Sequence, residues 1–187
     1  PPMLFKRFLC VLALLPFIGQ AQAFETRAKA AWVYDMATQT VLMDKNADEA
    51  LPPASMSKLM TLYMAFEAID AGILDLDQEL PVSAAAQQYG GSTMFLKAGE
   101  RVRVEDLIRG IIVLSGNDAC VVIAEALAGT EAEFARQMTM RAQQLGMTNS
   151  TFTNSNGWPK AGHRMSMRDL GLVATKLIKD YPQYYPI

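Results

Sequence analysis

The feature that most constrains this chain is the stretch from Ser55 to Ala71, SMSKLMTLYMAFEAIDA. Placed on a helix, Leu59, Met60, Leu62, Tyr63, Met64, Ala65, Phe66, Ala68 and Ile69 surround the axis almost completely. A helix apolar on every side cannot lie on a surface and must sit between two layers. Pro52-Pro53 precede it, and Gly72 follows as a natural C-terminal stop. The fold is therefore organised around this segment, with structure on both sides of it.

The remaining patterns supply those layers. Ala30 to Asp35 (AAWVYD) and Val41 to Asp44 (VLMD) read as two short strands joined by the polar MATQT, a hairpin. Val82 to Gln88 reads as a short helix and Gly90-Gly91-Ser92 as a turn. A helix opens at Arg103-Val104-Glu105-Asp106, its early acids complementing the dipole, and runs to Leu114. Ser115-Gly116-Asn117 interrupts it, and a further helix runs from Asp118 to Gly129. Thr130-Glu131-Ala132-Glu133 is a capping box for a helix ended by Gly146. Thr148 to Gly162 reads as a polar, Asn-rich loop, and Ser166-Met167-Arg168-Asp169 starts a last helix that ends before Pro182.

The first residues have another character. Lys6 and Arg7, the apolar FLCVLALLPFIG and Ala21-Gln22-Ala23 describe a secretory signal peptide over residues 3–23, expected to be cut after Ala23. The apolar run is shorter than the roughly 20 residues that span a bilayer. Cleavage leaves a mature part from residue 24 to 187 in which Cys120, beside Val121-Val122-Ile123, has no intrachain partner and is expected to be a buried, inert thiol. A formal net charge of −2 and the lack of a Lys/Arg run in the mature part argue against a nucleic-acid partner. No His/Cys/acid cluster suggests a metal or cofactor site, and the single histidine, His163, reads as a surface-loop residue.

Chemistry concentrates at the start of the buried helix. Residues i and i+3 share a helical face, so Ser55 and Lys58 can touch. Serine needs a base to become a nucleophile, and lysine can serve only after losing its proton. Desolvation favours the neutral amine, and the helix N-terminus acts in the same direction. An ordinary alternative, Ser55 as a cap and Lys58 reaching to water, stays open at this level. Ser115 and Asn117 sit on a glycine break between helices, where they could project into a cleft or cap the next helix.

Taken together, PPASMSKLMT, FLKAGE and LIRGIIVLSGNDAC resemble, in order and wording, the D-alanyl-D-alanine carboxypeptidases, the low-molecular-mass penicillin-binding proteins. The resemblance runs from AAWVYD through SMRDL. It implies an α/β, β-lactamase/transpeptidase-like sandwich of antiparallel sheet and helices, with an all-helical lobe over roughly residues 75 to 165. It also implies roles. Ser55 would be the nucleophile and Lys58 its proton acceptor. Ser115 would relay a proton to the leaving amine, and Asn117 would bind the substrate's peptide group. The implied partners are the peptidoglycan stem pentapeptide and β-lactams, in the periplasm, with membrane association through a C-terminal segment not contained here.

One departure matters. The family's third element, a K-T-G strand, is not found. Lys97-Ala98-Gly99 lies in the wrong order, and Lys160-Ala161-Gly162 lies in a loop without β-branched residues. The third element is expected beyond Ile187, so the domain is expected to be truncated here and these residues by themselves inactive. A β-lactamase and a non-catalytic penicillin- or peptidoglycan-binding domain are the alternative readings. The SGN wording, where class A β-lactamases carry SDN, counts against the first of them.

Overall fold

The computed structural model describes residues 25–187; the leader assigned to 3–23, with Cys10, lies outside the described residues. The hairpin forms as the pattern predicts. Strand β1 (Ala31–Asp35) pairs antiparallel with β2 (Thr40–Lys45), with a bulge between Val33 and Tyr34. A 3-10 turn (Ala54–Ser57) leads directly into α1 (Lys58–Asp70). Then follow β3 (Glu79–Pro81), α2 (Ala84–Gln87), β4 (Arg101–Arg103), α3 (Val104–Leu114), α4 (Asn117–Ala128), α5 (Glu131–Gln144) and α6 (Met167–Asp180).

Helix α1 is the centre of the structure, as its apolar circumference requires. Met60, Thr61, Leu62, Tyr63, Ala65, Phe66 and Ala68 are buried, and α4, α5 and α6 pack around it. On the α6 side Tyr63 meets Tyr181 edge-on and Phe66 stacks on Tyr184. On the α5 side Arg141 Nε donates to Glu67 at 3.1 Å. Helix α6 also carries the β1–β2 hairpin. Its Gly171 lies so close to the Trp32 ring that a Cβ there would fall 2.2 Å from ring carbons, which makes glycine obligatory at that crossing.

The second lobe differs from expectation in one respect. It is not all-helical, because β3 and β4 form a two-stranded antiparallel ladder, Glu79 opposite Arg103 and Pro81 opposite Arg101. Three residues per strand, one of them proline, leave no alternation for a sequence pattern to reveal. Helix α5 begins with half of the expected capping box. Thr130 Oγ1 accepts from the Glu133 N–H at 3.1 Å, while the Glu133 carboxylate turns to Arg136 instead. Neither Lys97-Ala98-Gly99 nor Lys160-Ala161-Gly162 lies in a strand.

Candidate active site

The Pro52-Pro53 pair and the 3-10 turn fix Ser55 one turn ahead of α1. Its side chain is exposed and its backbone N–H makes no hydrogen bond among the described residues. Lys58 opens α1 and is only 4% exposed, so it does not reach to water. Neither Ser55 nor Ser57 caps the helix with its side chain. The ordinary reading of this pair is thereby displaced.

Lys58 Nζ lies 3.0 Å from Ser55 Oγ, 2.8 Å from Asn117 Oδ1 and 2.7 Å from the Asn156 carbonyl oxygen. Two of these three partners, Asn117 Oδ1 and the Asn156 carbonyl, can only accept. A neutral amine has two N–H bonds and one lone pair, so its hydrogens go to those two oxygens and the lone pair is left for the Ser55 hydroxyl proton. Protonated, the same nitrogen donates to all three. The pocket therefore accommodates both forms without moving, as a proton acceptor requires. Burial holds the Lys58 ammonium below the usual lysine range, with Cys120 a smaller opposing influence.

Asn117 is oriented by its other end. Its Nδ2 donates to the Gly90 carbonyl at 2.8 Å, which forces Oδ1 toward Lys58 and leaves one N–H free. Its backbone N–H is held by Ser92 O at 2.8 Å. Ser115, the αL cap of α3 (φ 57°, ψ 38°), is half-buried and its hydroxyl makes no hydrogen bond among the described residues. Of the four residues singled out from sequence, Ser55, Lys58 and Asn117 thus form one bonded cluster; Ser115 stands two residues before it with a free hydroxyl.

Sequence reasoning missed the floor of the site. The stretch Asn154-Ser155-Asn156-Gly157 is buried, although it reads as polar loop. Asn154 Oδ1 accepts from Gly157 N at 2.8 Å, and Asn156 Oδ1 from Trp158 N at 2.9 Å. Glu131 Oε1 accepts from Ser155 N (3.0 Å), Ser155 Oγ (2.6 Å) and Asn156 Nδ2 (3.3 Å), while Oε2 takes the Tyr89 hydroxyl at 2.7 Å. These bonds lock the loop whose carbonyl meets Lys58. Asp118, read from sequence only as a helix start, anchors the opposite wall through the N–H groups of Met94 (3.0 Å) and Leu96 (3.1 Å). Side chains that bond back to their own loop backbone were the available signal, since Asn and Asp build such turns.

Two further residues fall out differently. Cys120 is buried as expected, its thiol pushed up to about 12 by burial. His163 is a correction: it is 2% exposed, not a surface residue, because it packs edge-on against Phe152. The Thr153 N–H donates to its Nδ1 at 3.1 Å, which places the proton of the neutral ring on an unpartnered Nε2. Burial lowers the ring to about 4, with Glu131 opposing and Arg164 adding to the fall. Between pH 6.5 and 4 the unfolded chain therefore binds a proton that the folded one refuses. Stability will fall as pH falls through that window, by on the order of 2 kcal/mol, and a His163→Gln variant will show a flatter urea-denaturation profile there.

An exposed serine hydroxyl lies against a buried lysine, and the same serine keeps a backbone N–H unpaired among the described residues; these are the groups that acyl transfer of the serine–lysine class requires. The sequence profile of peptidase S11, described as D-alanyl-D-alanine carboxypeptidase, matches residues 18–187. The chain is 40% identical over 152 residues to D-alanyl-D-alanine carboxypeptidase DacF of Bacillus subtilis, covering 81% of this chain and 39% of that protein. It is 37% identical over 188 residues to DacC of Escherichia coli, covering 96% and 47%. Among solved structures, the D-alanyl-D-alanine carboxypeptidase DacD from Francisella tularensis superposes with a TM-score of 0.85 at 37% identity, over 87% of this chain and 40% of that one. Penicillin-binding protein D2 from Listeria monocytogenes in its ampicillin-bound form gives 0.74 at 31% identity, over 83% and 63%.

This chain belongs to the peptidase S11 family of D-alanyl-D-alanine carboxypeptidases. The mixed α/β architecture expected from the motifs, helices with small antiparallel sheets, is the one that superposes on these neighbours. The chain spans about half the length, or less, of the two curated relatives named here.

Proposed function

We propose that the protein is a serine-type D-alanyl-D-alanine carboxypeptidase of the cell envelope, acting on peptidoglycan stem pentapeptides and acylated by β-lactams. One observation carries the reading: Lys58 is buried, held below its ordinary pKa, and 3.0 Å from the Ser55 hydroxyl. Ser55 Oγ attacks the carbonyl between the two D-alanines as its proton passes to Lys58 Nζ. The oxyanion forms against the free Ser55 N–H. Collapse breaks the C–N bond, and Lys58 passes the proton it took from Ser55 through the Ser115 hydroxyl to the departing amine, which leaves Lys58 neutral again. Water then attacks the ester as Lys58 accepts its proton, the acyl–Oγ bond breaks, and Lys58 hands that proton to Ser55 Oγ, which restores both residues. The remaining N–H of Asn117 orients the substrate's peptide group.

Export follows from the leader pattern of residues 3–23, and the periplasmic face of the inner membrane is the corresponding location. Membrane association is part of this proposal and would come from a segment outside these residues. Fluorescent penicillin offered to the full-length protein will give a covalent adduct whose labelled peptide carries the mass on Ser55. The same preparation will release D-alanine from a pentapeptide ending in D-alanyl-D-alanine. A label on any other residue, or none, rejects the reading.

A further inference from the structure

We propose that a cavity beside the nucleophile is a subsite for an acidic side chain of the peptide substrate, distinct from the reacting carbonyl. The proposal deepens the carboxypeptidase reading and rests on it for the identity of the ligand as a peptide. The cavity holds about 360 Å³. It shares a wall with the catalytic cluster: Pro53 and Ala54, which lead into Ser55, and Gly157, which follows the Asn156 carbonyl on Lys58. A ligand held at Ser55 needs to extend only a residue or so to enter it.

The lining states what it takes. Pro52, Pro53 and the half-exposed Trp158 ring make an apolar wall suited to a short aliphatic arm. Lys160 and Arg164 bring two positive charges, and no acidic residue lines the cavity. Both cations are exposed and neither forms a salt bridge among the described residues; other exposed cations, Lys97 among them, share that state, but only these two line the cavity. Two cations and no acid on one concave wall favour a carboxylate. His163 also borders the cavity and adds no charge there, because burial keeps its ring neutral at pH 7. An acidic residue, with two or three methylenes ahead of its carboxylate, matches both halves of the lining.

The test uses the full-length protein bearing Ser55→Ala, so that nothing turns over, labelled with 5-fluorotryptophan. The probes are N-acetylglutamic acid α-amide, which carries one side-chain carboxylate, and its neutral counterpart N-acetylglutamine amide, each in both chiralities. The Trp158 resonance, identified by Trp158→Phe, will shift saturably with an acid probe, and the neutral probe will bind at least about fivefold more weakly. Lys160→Gln and Arg164→Gln will each weaken the acid probe about threefold to fivefold at low salt and leave penicillin labelling of the Ser55 protein within about twofold. Equal affinity for acid and amide, indifference to both substitutions, or no saturable shift overturns the subsite. Absence of penicillin labelling in the unsubstituted protein instead rejects the carboxypeptidase reading, so the two failures are separable.

Discussion

Lys58→Arg will cut the rate of acylation by penicillin by about three orders of magnitude or more, approaching the complete loss expected of Ser55→Ala. The argument is chemical before it is steric. A guanidinium keeps the positive charge and offers more donors than an ammonium, so a lysine needed only as a cation would be largely replaced. A guanidinium cannot give up its proton in a protein and has no lone pair for the Ser55 hydroxyl. It also cannot fit its planar fork where one nitrogen now meets Ser55 Oγ, Asn117 Oδ1 and Asn156 O within 3.0 Å. Lys58→Met separates the two effects, because it keeps the apolar stem and removes the nitrogen. The pH profile completes the case. Acylation of the unsubstituted protein will rise with pH through the lowered Lys58 pKa, since only the neutral amine accepts a proton. A rate that is flat with pH, or an arginine variant within tenfold of the parent, removes Lys58 as the base.

Gly157→Ala will destabilise the protein by about 2–4 kcal/mol and will lower acylation along with it. Gly157 has φ of +86°, and a Cβ added there would lie 1.9 Å from the Ala54 carbonyl oxygen and 2.7 Å from Ser57 Oγ. Both obstacles belong to the Ala54–Ser57 turn that carries the proposed nucleophile, so the backbone cannot yield without moving Ser55. The Asn156 carbonyl that meets Lys58 is the preceding peptide, and it would swing with the displaced residue. Gly72 and Gly129 are controls with the same handedness (φ +71° and +78°) and nothing within 4 Å of the added atom. Alanine at either will cost only the backbone term, about 1 kcal/mol, with acylation unchanged. Thermal denaturation distinguishes them, because each kcal/mol moves the midpoint of a domain this size by about 2–4 °C. A Gly157→Ala protein as stable as the two controls refutes the close approach.

Much of this site was legible in the sequence because its chemistry is local. Ser55 and Lys58 lie three residues apart, and the apolar circumference of α1 already implied that the amine would be dry. The hairpin and the long helices likewise announced themselves through alternation, caps and terminal glycines, and their ends fall within a few residues of expectation. What remained hidden depends on partners far along the chain. The Asn154–Gly157 segment is polar in every residue but the last, and only its burial against Glu131 turns it from loop into the floor of the site. His163 read as a surface residue because it falls in a loop, yet the Phe152 ring and the Thr153 N–H enclose it. The β3–β4 ladder joins segments some twenty residues apart through strands too short to carry a pattern. Asn117 was legible as a cleft residue but not as the group that aims Lys58, which takes the Gly90 carbonyl to reveal.

The amine of Lys58 is gripped by oxygens drawn from three stretches of chain, 3, 59 and 98 positions away. A nascent or collapsed polypeptide contains the same serine and lysine, but in it the amine is hydrated, charged and chemically idle. The proposed reactivity would thus be switched on by completion of the tertiary structure and would vanish when that structure opens. A covalent penicillin tag would in consequence count native molecules, not total polypeptide, and could report the yield of correctly matured protein in a crude cell extract.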